Sequence, residues 1–208
     1  NEERPQLTKH LATRFKEKIG QNVNLLGEVV LGNEEADHRY HHYLEALESP
    51  DINYISVKIS GIYAQTHALN YEESFPELVS RMSALYQKAI DFPYTDEDGI
   101  KRSKFINLDM EEYKDAHFTL RLFKAVLNLP QFKNYSAGIV VQAYLPDAYD
   151  FQTELLEFAK ARVDGGGAPI KMRLVKGCNL EMETVISSLK GWPNPIRPSK
   201  TEVDANYL

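Results

Sequence analysis

Ala137-Gly138-Ile139-Val140-Val141-Gln142-Ala143-Tyr144 is a short apolar run that turns polar only near its end, and the pattern returns in Ile170-Lys171-Met172-Arg173-Leu174-Val175-Lys176. Runs of this length, β-branched and bounded by turn formers, predict buried strands. Between the two, Asp147 is expected to cap a helix with Leu155, Leu156 and Phe158 facing inward, and Gly165-Gly166-Gly167 to form a turn. Gly177 closes the later strand. A helical stretch through Met182 and Ile186 follows, and a last helix is expected from Lys200 to Leu208.

The same alternation extends towards the N-terminus. Phe105-Ile106-Asn107-Leu108-Asp109-Met110 predicts a strand, followed by a helix from near Glu112 with Phe118, Leu122, Ala125 and Val126 on one face. Before it, Tyr54-Ile55-Ser56-Val57-Lys58-Ile59-Ser60, closed by Gly61, leads into a helix from Glu72 to Ile90 and a polar, hairpin-like insert at Tyr94-Thr95-Asp96-Glu97-Asp98-Gly99. The first strand is expected at Val23-Asn24-Leu25-Leu26-Gly27-Glu28, between a polar helix from Thr8 to Ile19 and a helix from Asn33 to Glu48. On the latter, His38, His41 and His42 lack a carboxylate or cysteine at a metal-site spacing and predict a solvated face.

Strands alternating with amphipathic helices indicate a parallel sheet covered by helices, either an open doubly wound sheet or a barrel. Polar residues stand late in these strands or just after them: Glu28, Lys58, Asp109, Gln142, and Arg173 with Lys176. In a (β/α)8 barrel that end is the active-site face and many strands feed it, whereas an open sheet concentrates its site at one switch point. Neither a GxGxxG nor a GxxxxGK[ST] fingerprint is present. The fold class expected is therefore α/β, a (β/α)8 TIM-like barrel. At 208 residues, against ~250 for a typical barrel, only about the first five βα units are visible.

Composition narrows the function classes. A net charge of -6 without a Lys/Arg block gives no footprint for nucleic acid. No apolar run approaches the ~20 residues of a spanning helix, and Asn1-Glu2-Glu3-Arg4-Pro5 has no apolar signal core. The single cysteine, Cys178, fits a reducing compartment, so the cytoplasm is the expected location. A lysine or aspartate within an apolar strand is costly to bury without a partner. Lys58 and Asp109 can pair with each other structurally or share a functional rim. Arg173 and Lys176 add cations that suit an anionic substrate or a reduced flavin.

Leu26-Gly27-Glu28, Ser56-Val57-Lys58-Ile59-Ser60, Leu108-Asp109-Met110-Glu111-Glu112, Gln142-Ala143-Tyr144 and Met172-Arg173-Leu174-Val175-Lys176-Gly177 resemble successive strand motifs of the proline dehydrogenase family, in order and in spacing. The likeness runs from about Asn22 to the end and is nearest to the proline utilisation A type, a bifunctional bacterial enzyme with a fused aldehyde dehydrogenase. It divides the chain into an N-terminal helical segment, 1–21, and a partial barrel, 22–208.

The resemblance implies FAD as cofactor and oxidation of L-proline to Δ1-pyrroline-5-carboxylate by hydride transfer to flavin N5. It assigns Arg173 to flavin N5, Gln142 to the pyrimidine edge, Asp109 to the flavin and substrate side, and Lys58 to the substrate carboxylate. Glu28 is implied as a gate residue that pairs with a late arginine. Val175, Gly177 and Cys178 align with the loop that approaches the isoalloxazine. Lys200 aligns with a lysine on the phosphate or ribose part, although it also reads as a helix start with Thr201 near the cap. Implied partners are membrane quinone, a fused or separate aldehyde dehydrogenase domain and further copies of the chain, with peripheral association at the inner membrane.

Two departures stand out. Cys178-Asn179 replaces an alanine-tyrosine pair of some family members, so the pocket shape is expected to differ, and with no CxxC the thiol is expected to be small and buried. The family's later strands, with paired arginines for the substrate carboxylate, have no counterpart here. The chain alone is therefore expected to be weakly active or inactive. Alternatives are a non-catalytic barrel fragment acting in assembly, or another flavin barrel such as a methylenetetrahydrofolate reductase relative.

Overall fold

The computed structural model describes residues 4–24, 32–64 and 70–208. The chain divides into two compact units, Asn1–Asn107 and Leu108–Leu208. The first holds α1 (Arg4–Lys16), β1 (Val23–Asn24), α2 (Asn33–Glu48), β2 (Tyr54–Lys58) and α3 (Tyr71–Asp91), followed by a hairpin of β3 (Tyr94–Thr95) and β4 (Lys101–Arg102). Strands β1 and β2 run parallel, with Val23 opposite Ile55. Helix α3 buries Leu78, Met82, Leu85, Tyr86 and Ala89 at the spacing of one helical face. Arg81 on its flank binds Asp37 at 2.6 Å and Glu77 at 2.8 Å and donates to the Ile62 carbonyl, tying α3 to α2 and to the turn after β2.

The expected second strand is shorter than its apolar run. Ile59–Gly61 forms a 3-10 turn, in which a side chain at Gly61 would stand 3.0 Å from the Tyr43 hydroxyl oxygen. The polar insert forms the expected hairpin, organised by Asp96: its Oδ1 accepts from the N–H groups of Asp98 and Ile100, and its Oδ2 pairs with Arg102. His38, His41 and His42 lie on an exposed face of α2, as expected. Of the first strand only Val23–Asn24 is described; Glu28 lies outside the described residues.

Strand β5 (Phe105–Asp109) begins in the first unit and ends in the second. The second unit continues with α4 (Ala116–Leu127), β6 (Gly138–Gln142), α5 (Ala148–Asp164), β7 (Lys171–Val175), α6 (Leu180–Lys190) and α7 (Lys200–Tyr207). Strands β6 and β7 are parallel and in register from Gly138 opposite Lys171 to Gln142 opposite Val175. Hydrogen bonds from Ala143 N to Val175 O and from Tyr144 N to Lys176 O carry the ladder past both strand ends. Helix α4 buries Phe118, Leu122 and Val126, with Ala125 half-buried at the margin.

Two local expectations are corrected and a third is refined. Leu156 is 54% exposed, because Phe151, Leu155 and Phe158 define the inward face of α5 and Leu156 lies a further 100° round the helix. Asp147 occupies the N-cap position of α5 without capping it; its carboxylate accepts from the Tyr113 hydroxyl at 2.8 Å. Helix α7 starts at Lys200 with Thr201 near its cap, as expected; the cap is Ser199, whose hydroxyl accepts from Glu202 N.

At the beginning of β6 and β7 a single side chain gathers the loops. Arg162 donates to the carbonyls of Leu127, Phe132, Lys133, Tyr135 and Ala168, which close α4, the turn before β6 and the turn before β7. Losing it removes these bonds; Phe132 O and Lys133 O keep backbone donors, while the Leu127, Tyr135 and Ala168 carbonyls lose about 1–3 kcal/mol each where water does not replace the bond. Arg162→Met should therefore lower unfolding stability by about 3 kcal/mol or more in a denaturant titration, whereas a loss below about 1 kcal/mol would assign these carbonyls to solvent.

The first unit carries a buried lysine. Lys104 is 2% exposed and donates to the Ser49 carbonyl; burial pulls its pKa down from 10.5 to about 8, opposed by Asp51. Between pH 8 and 10.5 the unfolded chain then binds the proton more fully than the folded one, so stability rises with pH across that window. The Tm of the wild type should gain on that of Lys104→Met as pH rises from 8 to 10. A constant difference would mean that Lys104 titrates normally.

Candidate active site

Strands β5 and β6 end on polar residues and β7 carries one near its end, as the sequence pattern predicts. Asp109 is the last residue of β5, Gln142 the last of β6, and Arg173 lies two residues before the end of β7. Register places Val140 opposite Arg173 and Gln142 opposite Val175, so these four side chains share one face of the β6–β7 pair. Arg173 Nη2 lies 2.6 Å from Asp109 Oδ1, an ion pair whose carboxylate side is 12% exposed and whose guanidinium is 39% exposed. Burial of the charges is thus matched by direct pairing.

On β6 and β7 two buried side-chain atoms have no hydrogen-bond partner. Gln142 is buried; its Nε2 donates to the carbonyls of Met110 and Glu111 at 3.3 Å, and its Oε1 accepts nothing. Arg173 Nε is likewise buried and unpaired. An acceptor and a donor left open on neighbouring strands suit a planar ligand edge that carries both N–H and acceptor atoms.

The loop after β7 is shaped by Gly177. Its φ is +121°, and a Cβ there would stand 2.5 Å from the Tyr144 ring, so only glycine allows the loop to lie on that ring. Tyr144 is 1% exposed. Burial raises the pKa of its phenol and the Glu183 carboxylate raises it further; Gln142 stands near the hydroxyl but outside hydrogen-bonding geometry. Cys178 is exposed, which corrects the expected buried thiol; its Sγ lies 3.5 Å from Asn179 Oδ1.

Lys176 binds Asp204 at 2.5 Å, and Lys200, the 82% exposed first residue of α7, binds the same carboxylate. Lys176, then Lys200, holds the Asp204 pKa below the usual range. Lys58 ends β2 in the first unit and is half-buried. Sequence reasoning missed Asn179, Glu183 and Tyr113. Asn179 Nδ2 donates to Glu111 O at 3.0 Å, and Glu183 Oε1 accepts from Tyr113 N at 2.7 Å. Burial raises the Glu183 pKa, against the lowering by that N–H.

A family model described as Proline dehydrogenase matches residues 7–208. Proline Utilization A (PutA) from Corynebacterium freiburgense is similar at 42% identity and a TM-score of 0.89, over 96% of this chain and 20% of that one. PutA from Bdellovibrio bacteriovorus, inactivated by N-propargylglycine, is similar at 32% identity and a TM-score of 0.81, over 96% of this chain and 22% of that one. Bradyrhizobium japonicum PutA, 24% identical with a TM-score of 0.76 over 89% of this chain and 19% of that one, adds a likeness in fold. The chain thus spans about a fifth of the length of these PutA chains. No curated protein matches it. The fold is α/β, of the barrel type found in the PutA proline dehydrogenase domain, as the strand pattern predicts. With a match that runs from residue 7 to residue 208, the chain belongs to the proline dehydrogenase family.

Proposed function

We propose that this chain forms part of the site at which a flavoprotein oxidises L-proline to Δ1-pyrroline-5-carboxylate in the breakdown of proline to glutamate. The observation that carries the reading is the pairing of Arg173 with Asp109 beside two open, buried hydrogen-bonding atoms, Arg173 Nε and Gln142 Oε1. FAD, when bound, supplies the hydride acceptor. Its ring edges present both donors and acceptors, which these two atoms fit.

The residues have distinct work in this reading. Asp109 fixes the guanidinium of Arg173, so a positive charge and an N–H donor stand ready where negative charge develops. Gln142 is oriented by the Met110 and Glu111 carbonyls and presents its oxygen as an acceptor. Gly177, with Val175 and Cys178, allows close backbone approach. Lys176 and Lys200 bring two cations to one carboxylate, leaving positive charge for the phosphate end of the cofactor. Lys58, as the substrate-carboxylate residue, and Glu28, as a gate, rest on their motifs alone. Electron transfer to membrane quinone, delivery of the product to an aldehyde dehydrogenase domain, self-association and a cytoplasmic site with peripheral membrane contact belong to the same reading.

The test is the flavin spectrum of the purified protein supplied with FAD, followed by anaerobic mixing with L-proline. Arg173→Met should still fold and bind flavin but reduce it about a hundredfold more slowly, the usual loss for one positioned charge-stabilising donor. Reduction of the variant at the wild-type rate would remove Arg173 from the site, and an absence of flavin uptake by the wild type would sink the reading as a whole.

A further inference from the structure

The segment that follows Asp109 is gripped by two side chains from the start of α6. Residues 110–112 lie in neither helix nor strand, so their backbone groups have no ladder to join. Glu111 O accepts from Asn179 Nδ2 at 3.0 Å, and two residues on, Tyr113 N donates to Glu183 Oε1 at 2.7 Å. Asn179 and Glu183 are four residues apart, which puts them on one face of α6. Their partners lie 68 and 70 residues earlier in the chain.

Both side chains depart from their ordinary local use. Asparagine at an N-cap is favoured because its side chain can accept from the first turn, yet Asn179 sits at the N-cap of α6 and makes no such bond. Glutamate within a helix is ordinarily solvated, yet Glu183 is 6% exposed and beside Tyr144 and Glu112. On α6, Glu181 and Thr184 flank it and are exposed. Each deviation is accounted for by the same segment, which begins at the carboxylate paired with Arg173.

We propose that Asn179 and Glu183 are positioning residues that hold the segment after Asp109, so that the start of α6 sets where the Asp109 carboxylate meets Arg173. The inference rests on the flavin-site reading for its functional consequence, but the grip itself is testable without flavin. Gln142 holds the same segment from the end of β6 through Met110 O and Glu111 O, so the loop is fixed from a strand end and a helix start at once.

The test uses the full chain with Asn179→Ala, Glu183→Ala, Glu183→Gln and, as control, Thr184→Ala. Backbone amide exchange at Tyr113 should accelerate about ten- to a hundredfold in Glu183→Ala, as expected for one lost charge-assisted bond. Glu183→Gln keeps a carbonyl acceptor and should restore protection, and Thr184→Ala should match the wild type. In flavin-loaded protein, Asn179→Ala and Glu183→Ala should slow reduction by proline about tenfold with little change in the proline concentration at half-saturation, because chemistry and not ground-state binding is disturbed. Unchanged exchange at Tyr113 in Glu183→Ala overturns the grip. Faster exchange with unchanged reduction overturns the positioning role and leaves a structural tether. If Glu183→Ala does not fold, Asn179→Ala with exchange read at residues 110–113 decides the same point. A wild type that binds no flavin overturns the functional reading and with it the catalytic consequence, while the exchange result still decides the grip.

Discussion

The ion pair between Asp109 and Arg173 is the constraint around which the second unit is arranged. Asp109 ends β5 and Arg173 lies within β7, so the pair spans the end of β6. Losing the cation would leave a carboxylate at 12% exposure without its ion-pair partner, but with the Arg173 side chain 39% exposed the cost falls below the ~3–5 kcal/mol of a fully buried pair. The pair also depends on register. Slipping β7 by one residue along β6 would send Arg173 to the opposite face, and Gln142 would no longer share its surroundings.

The two ends of the β6–β7 pair are built on opposite principles. At the beginning, Arg162 donates to five carbonyls, two of which, Phe132 O and Lys133 O, also accept from backbone N–H groups. At the far end, polar groups are buried and left open: Gln142 Oε1, the Tyr144 hydroxyl, Arg173 Nε and Arg197 Nε, the last on a residue whose backbone N–H binds Tyr144 O. Buried unpaired groups are rare because each costs about 1–3 kcal/mol. Within the second unit the two ends of this strand pair thus differ: one spends its polar groups on closing loops, and the other leaves hydrogen-bonding capacity unused.

Periodicity made most of the elements legible. The expected helix at Asn33 to Glu48 has those bounds, and strands β5, β6 and β7 begin and end within a residue or two of the apolar runs that predict them. Arg173 and Gln142 were visible for the same reason: a polar residue late in an apolar run must face something. The misses share a different cause. Asp147 is drawn away from its cap by Tyr113, which lies 34 residues earlier, and Lys104 is buried by the end of α2, 55 residues before it. Cys178 reads as a buried thiol but is exposed, directly after Gly177 with its φ of +121°. Asp147 and Lys104 are decided by tertiary contact, which local pattern does not encode.

Asn179 shows how such a contact can be weighed. A side-chain cap on α6 would be worth about 1 kcal/mol, and its absence is a loss of that order. The hydrogen bond it makes instead, to Glu111 O, returns about 0.5–1.5 kcal/mol. The exchange is close to neutral in energy, so stability does not explain the choice. What changes is location: the same bond strength is moved from a local turn to the backbone two residues beyond Asp109. Glu183 makes the comparison sharper, because its burial raises its pKa and costs stability that an exposed glutamate would keep. An arrangement that gains little energy and accepts a desolvation cost is more readily understood as fixing a position, here that of the carboxylate on which Arg173 depends.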